Sequence, residues 1–350
     1  MTVTIRPLDT ASDRELTEYI RLDHACDEVL FGGIENHTVE QTRARLEPNQ
    51  YWELGHWVAV SGSGDDERIL GYGGTSVPLS ENLDTVHVDL SVHPEHRGQG
   101  IATALLNEAL LPAIRATGRH LISAYGAIPA EGDPDDMSLP VNKIAAAHGL
   151  SRKNVAVCRI LDLPLDDELL DDLAAQAAEK LGDYQVLYFE DTVPEEHLAA
   201  YGVLLRQLEL DEPDEEVEHE APEFTPERIR LAEKRRRDSG TRSLIAVAQA
   251  PDGAFAGNSV VEFHGGEGTT IGWQENTLVM PEHRGHRLGL ALKVETHRRL
   301  RQEAPALRSI ATWNSHVNPW MIAINEQLGY RVAHREIAFQ GRPALLPPRS

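Results

Sequence analysis

Apolar and polar positions change period repeatedly along this chain, and each change marks an element. Residues 85–92, Thr-Val-His-Val-Asp-Leu-Ser-Val, alternate and predict a half-buried strand. Apolar runs at 3–7, 56–60, 69–77, 120–125 and 154–161 predict further strands, and the Gly- and Asp-rich stretch 61–67 predicts a turn joining two of them. Helical spacing is found after Asp13, over 39–46 behind Thr38, from Arg97 to near Ala116, over 140–148, and over 166–180 before Gly182. The order then begins again. Strands are predicted at 185–189, 243–248, 256–263, 270–279, 308–313 and 331–339. Helices are predicted at 194–207, 226–238, after Arg284 and at 318–328. Helices interleaved with strands predict an α/β (α+β) fold, each half a mixed central sheet flanked by helices. The expected units are 1–164, a connecting helix at 165–182, and 183–350.

A segment repeated in the two halves supports that division. Residues 92–102 read VHPEHRGQGIA and residues 279–289 read VMPEHRGHRLG. Pro-Glu-His-Arg-Gly is identical in both, and Arg97 and Arg284 stand 187 residues apart. A period of that length is a whole domain. Each copy runs from an apolar strand through an Arg-Gly turn into an apolar helix. The first turn of such a helix offers free backbone N–H groups to an anion.

Charge changes the picture of partners. The chain of 350 residues carries 33 Lys and Arg against 56 Asp and Glu, a net charge of −23. That argues against nucleic acid, whose phosphates need clustered cations, and favours a cationic small-molecule or peptide partner. The acidic run 209–223, free of Lys and Arg, reads as a solvated, self-repelling loop or as a rim that attracts an amine. Two distant cysteines, Cys26 and Cys158, suggest neither a disulfide framework nor a metal site. No secretory leader or apolar span long enough for a membrane is visible, so a cytoplasmic monomer or homodimer is expected.

The strand followed by Val92, Pro94, Arg97-Gly98-Gln99-Gly100-Ile101-Ala102 and an apolar helix resembles the acetyl-CoA-binding motif of the GCN5-related N-acetyltransferases (GNAT). Asn314, Asn318, Asn325, Gly329 and Tyr330 extend the likeness in the second half, toward a tandem type common in actinobacteria. The resemblance implies acetyl-CoA as cosubstrate. Its phosphates would be held at Arg97, Gly98, Gln99, Gly100, Ile101 and Ala102, and again at Arg284, Gly285, His286, Arg287, Leu288 and Gly289, with Asn318 near by. Backbone groups at Val92 and Val279 would polarise the thioester carbonyl. The second copy departs from the pattern at Arg287, where glycine is expected. The tyrosine that serves the family as general acid falls on Asn325, and on Ala145 in the first half.

Acetyl transfer to an amine also requires a base. By the resemblance this is a carboxylate four residues before the last valine of the strand, which selects Glu275. The same count in the first half lands on Val88, flanked by His87 and Asp89. Alternation puts those two on the face opposite Val88, unless a bulge re-aims them. The first half therefore has the better phosphate loop and the second the better base, and chemistry is expected in the second half. The competing reading is a sensor or scaffold that binds acetyl-CoA and transfers nothing.

Overall fold

The computed structural model describes residues 3–211 and 216–343. Its strands are β1 (Thr4–Pro7), β2 (Trp52–Ser61), β3 (Arg68–Pro78), β4 (Thr85–Val92), β5 (Leu121–Pro129), β6 (Ser151–Asp162), β7 (Gln185–Glu190), β8 (Thr241–Gln249), β9 (Phe255–His264), β10 (Ile271–Val279), β11 (Ser309–Ser315) and β12 (Arg331–Gly341). The helices are α1 (Asp13–Phe31), α2 (Val39–Leu46), α3 (Ile101–Leu105), α4 (Leu111–Thr117), α5 (Pro140–Ala147), α6 (Asp167–Leu181), α7 (Leu198–Asp211), α8 (Pro226–Asp238), α9 (Leu288–Glu303) and α10 (Pro319–Leu328). Caps fix several boundaries. Ser12 and Thr38 accept from Glu15 and Gln41, the latter in a full capping box, and Gly32 ends α1 in the left-handed conformation.

The strands form one sheet in the order β1-β2-β3-β4-β5-β12-β6-β11-β10-β9-β8-β7. Neighbours are antiparallel except β4–β5 and β10–β11, the two pairs joined through a helical crossover. The last strands of the two halves are exchanged. β12 lies between β5 and β6, and β6 lies between β12 and β11. Sequence order gives no sign of this, because an exchanged strand has the same alternation as one that stays at home.

Helices cover both faces. Val86, Val88 and Ile122 pack on Leu106, Leu110 and Ile114 of the α3–α4 helix, which is joined by a π turn at Leu106–Leu110. On that face of the second half, α6 and α9 bury Leu170, Leu173, Leu290 and Val294 against Leu161 and Ile310. The opposite face carries α1 and α2, with Leu16, Leu22 and Leu46 against Val58 and Val60. In the second half α7 and α8 cover it, with Leu198, Leu204 and Ile229 against Ile245 and Val247. The acidic run is the expected exposed loop over 216–223, but it is helical at its start and tied down along its length. Glu209–Asp211 belong to α7, and residues 216–223 lie across the first half as a docked strap. Its ties are a Lys153–Glu216 ion pair at 3.2 Å, the Glu218 N–H to Gln340 Oε1 at 2.8 Å, and Asn82 bonded to Glu220 through both backbone and side chain. Residues 212–215 fall outside the described residues. Specific partners offset the self-repulsion that composition alone suggests.

Candidate active site

Both Arg-Gly loops fold alike. The Arg97 Nε donates to Val92 O at 3.2 Å, and Arg284 Nε donates to Val279 O at the same distance. Strand register then places the next donor. His93 N–H donates to Leu70 O at 2.9 Å and Met280 N–H to Ala256 O at 2.9 Å. Antiparallel alternation therefore turns the N–H groups of Val92 and Val279 away from β3 and β9. They point to the side where the parallel partner strand has diverged, since pairing ends at Val88–Ala124 and at Trp273–Ala311. Each half thus has a gap between two parallel strands, with a helix N-terminus above it.

The loops differ in what occupies their cations. Arg97, Gly98, Gln99 and Gly100 are exposed, and among the described residues no carboxylate pairs with Arg97. Gly98 and Gly100 have φ of 75° and 83°, with nothing within 4 Å of where a Cβ would stand. Such open, left-handed glycines let backbone approach a phosphate. In the second half Arg284 is paired with Asp211. Arg287, with φ 55°, does not crowd the loop, because its guanidinium swings onto α6 and pairs with Glu179 at 2.7 Å. His286 reaches Lys180 O at 3.3 Å, and His283 meets the Tyr184 hydroxyl at 2.8 Å. Leu288 and Gly289 are buried, Gly289 beneath Ile324. Ile101 is buried like Leu288, whereas Ala102 is half-buried. Asn318 caps α10 by accepting from Met321 N–H at 3.1 Å.

The carboxylates are related differently from the count along the sequence. β10 carries a bulge between Gln274, opposite Val261, and Thr277, opposite Ser259. β4 has no bulge, and Asp89 lies opposite Gly74 between Val88–Thr75 and Leu90–Gly73. Val92 and Val279 face Gly71 and Gly257, so Gly74 matches Val260, which lies opposite the bulged pair Glu275–Asn276. Asp89, and not Val88, is therefore the structural counterpart of Glu275. The extra residue in β10 shifts the count by one.

His87 and Asp89 face away from α3, toward α1. His87 is half-buried and Asp89 keeps exposed surface, and the atoms around them partly desolvate both, which lowers the His87 pKa and raises that of Asp89. Glu275 keeps solvent-exposed surface, yet the protein atoms around it desolvate its carboxylate. That, with Glu262 and Glu35 near by, pushes its pKa up to about 7. Asp27 on α1 is pushed up to about 8 by burial and by Asp23 and Glu35. The loop after α1 reaches into the second half, where Thr270 N–H donates to Ile34 O at 2.9 Å and Asn36 N–H to Thr269 Oγ1 at 3.0 Å. Phe31 then packs edge-on to Trp273 and Trp313, with centroids at 5.1 and 5.8 Å. Sequence reading missed this junction, because its residues come from both halves.

Behind the second gap lies a buried polar chain. Lys293 Nζ donates to Asn325 Oδ1 at 2.8 Å, and both Asn325 Nδ2 and Arg159 Nη1 donate to Asn314 Oδ1, at 3.3 and 2.8 Å. Burial lowers the Lys293 pKa to about 7. Asn325, where the family's tyrosine falls, is thus engaged in holding α9, α10 and β11 together. Among the described residues there is no group of His, Cys, Asp and Glu that could hold a metal ion, and no helix long and apolar enough to cross a membrane.

Comparison with known proteins agrees with this geometry. Residues 53–130 match the model of the acetyltransferase (GNAT) domain. A tandem GNAT protein from the clavulanic acid biosynthesis pathway, solved without acetyl-CoA, is 25% identical. It superposes with a TM-score of 0.74 over 97% of this chain and 98% of its own. A GCN5-related N-acetyltransferase from Sphaerobacter thermophilus, 18% identical, has a TM-score of 0.62 over 99% and 98% of the two chains. Saccharomyces cerevisiae N-myristoyltransferase with bound myristoyl-CoA shares the fold at 10% identity and a TM-score of 0.56, over 99% of this chain and 84% of its own. No curated protein matches the chain in sequence. Fold and site define an acyltransferase of the acyl-CoA-using kind. Residues 53–130 match an acetyltransferase (GNAT) domain, and the chain as a whole has the fold of a tandem GNAT protein.

Proposed function

We propose that this protein transfers the acetyl group of acetyl-CoA to a primary amine of a small molecule or peptide, within a ternary complex, and that the first half is where transfer occurs. The observation that carries this reading is the difference between the loops. Arg97 and the open Gly98–Gly100 turn are free to meet phosphates, whereas Glu179 and Asp211 neutralise Arg287 and Arg284. Carboxylates beside a phosphate site oppose the ligand's charge. The second half is then a scaffold that shapes the acceptor cleft.

Acetyl-CoA supplies the acetyl thioester. The Val92 N–H is aimed to polarise its carbonyl. Asp89 accepts the proton of the acceptor ammonium, directly or through water, and desolvation makes it a stronger base than an ordinary aspartate. The amine nitrogen bonds to the carbonyl carbon, the carbon–sulfur bond breaks, the nitrogen releases its second proton to solvent, and the thiolate takes a proton from solvent. A thiol of ordinary acidity, with a pKa of about 8.5, leaves without a tyrosine. His87, Glu275 and the remaining loop residues stand outside this minimal set.

Calorimetric titration with acetyl-CoA, paired with thiol release over a panel of amines, tests the proposal. One site is expected in the wild type, lost in Gly100→Val and kept in Gly285→Val, with turnover that needs an added amine. Binding lost in Gly285→Val alone would move the cosubstrate to the second half. Thiol release that no amine increases would leave a binder and remove the transferase.

A further inference from the structure

The exchange of β6 and β12 creates a cavity that neither half has alone. It measures about 270 Å³ and is lined by Tyr125, Asn154, Ala156, Trp313, Glu336 and Ala338, with Val217 of the strap also at its wall. Its floor crosses four strands. Tyr125 of β5 lies opposite Ala338 of β12, Ala338 opposite Asn154 of β6, Glu336 opposite Ala156, and Trp313 of β11 opposite Cys158. Small residues at 156 and 338 leave the space. These side chains share the face of His87 and Asp89, because His87 pairs with Ser123 in parallel register and Tyr125 lies two residues further along β5.

The chemistry of the lining is specific. Among the described residues no Lys or Arg forms an ion pair with Glu336, although its neighbour Arg335 turns away to Ala130 O at 2.8 Å. Burial raises the Glu336 pKa. The Trp313 Nε1 is buried and has no partner within strict hydrogen-bond geometry, but its indole faces the Glu336 carboxylate and partly opposes that rise. The Trp313 ring is stacked on Trp273 at 5.7 Å, which fixes it at the cavity wall. A carboxylate removed from water without a cation is costly. An ammonium would supply the missing charge, and indole and phenol faces attract the same group. The volume is small for a drug-sized ligand, and it suits one end of an aliphatic chain.

Strand spacing relates this carboxylate to the proposed base. β4 and β12 are separated by β5, and Glu336 lies two residues beyond the level of Tyr125. Two inter-strand steps and two residues along a strand put Asp89 and Glu336 at least roughly 12 Å apart at the backbone, since β4 parts from β5 just before Asp89.

We infer that the seam cavity is an anchor subsite for an elongated aliphatic dication, whose distal ammonium binds at Glu336 beside Trp313 while its other nitrogen reaches Asp89. The inference rests on the proposed transfer in the first half and names the acceptor's class.

The test uses the full-length protein with 1,6-diaminohexane as probe and hexylamine as its single-charge counterpart. Wild type is expected to prefer the diamine in kcat/KM by roughly tenfold or more, through KM. Glu336→Gln should abolish that preference, and Ala156→Leu should do the same by filling the cavity. Acetyl-CoA affinity in each variant controls for folding. Calorimetry with 1,6-diaminohexane alone reads the subsite even if no transfer takes place. Binding by wild type that is lost in Glu336→Gln would uphold the anchor while the transfer reading fails. Equal use of the two amines, or a diamine preference or affinity unchanged in both variants, would overturn it.

Discussion

Asp89 and Glu275 occupy matching places on matching strands in different surroundings. Asp89 faces a gap whose phosphate loop is open, and Glu275 faces one whose arginines are already paired. Asp89→Asn should lower kcat/KM by about 10²–10⁴, the usual worth of a positioned base. Glu275→Gln should change it by less than about tenfold. The pH profile gives an independent reading. A base is active when deprotonated, so the acid limb of kcat/KM should lie above the ordinary Asp value of about 3.9 and vanish in Asp89→Asn. A limb that survives in Asp89→Asn and is lost in Glu275→Gln would return the chemistry to the second half.

Lys293 makes a residue-scale prediction about stability. Its folded pKa of about 7 lies below its unfolded value. Between about pH 7 and 10 the unfolded chain holds a proton that the folded chain has released, so this group makes stability rise with pH. Below about 7 both states hold it, and the contribution is flat. The slope it adds is at most about 1.4 kcal/mol per pH unit. Denaturant unfolding across pH 7–10 should therefore rise less in Lys293→Met than in wild type. Parallel curves for the two proteins would mean that Lys293 is not desolvated in solution.

At the scale of elements, the phosphate loop is where sequence pattern and backbone geometry agree most closely. Pro-Glu-His-Arg-Gly gives the same turn twice, down to the arginine Nε on the valine carbonyl. What divides the copies is not the loop but what packs beside it. α6 and α7 each bring a carboxylate to the second loop, and no carboxylate pairs with Arg97 in the first among the described residues. Releasing the second loop should thus recover some anion affinity. A Glu179→Gln and Asp211→Asn double variant is expected to gain a weak second acetyl-CoA site, read by calorimetry. An unchanged single site would point instead to the buried Gly289–Ile324 contact as the obstacle.

At the scale of the whole molecule, the exchanged strands tie the halves into one sheet. A cut in the connecting segment leaves each fragment with β5 or β11 short of its native neighbour. Fragments 1–164 and 183–350, taken at the boundaries the repeat suggests, should expose these edges and aggregate alone. Produced together, they should elute as a one-to-one complex with β6 and β12 exchanged. Two soluble monomers that ignore each other on mixing would show that each half folds independently of the exchange.

Local physics fixed much of this in advance. Alternation at 85–92, the cap at Thr38 and the doubled Arg-Gly turn each depend on neighbours a few residues away, so the elements and their repeated order were legible in the chain, while the cosubstrate class was suggested by resemblance. The one-residue bulge that equates Asp89 with Glu275 was not, because a bulge is a property of pairing with β9 and leaves no mark on β10's own composition. The carboxylates on Arg284 and Arg287 come from residues 73 and 108 positions away. The seam cavity requires four strands from both halves side by side. Sequence determines which groups the chain carries and which elements hold them. Tertiary contact alone decides which charges are neutralised, which are desolvated and which face one another, because those depend on distances across space that sequence separation does not encode.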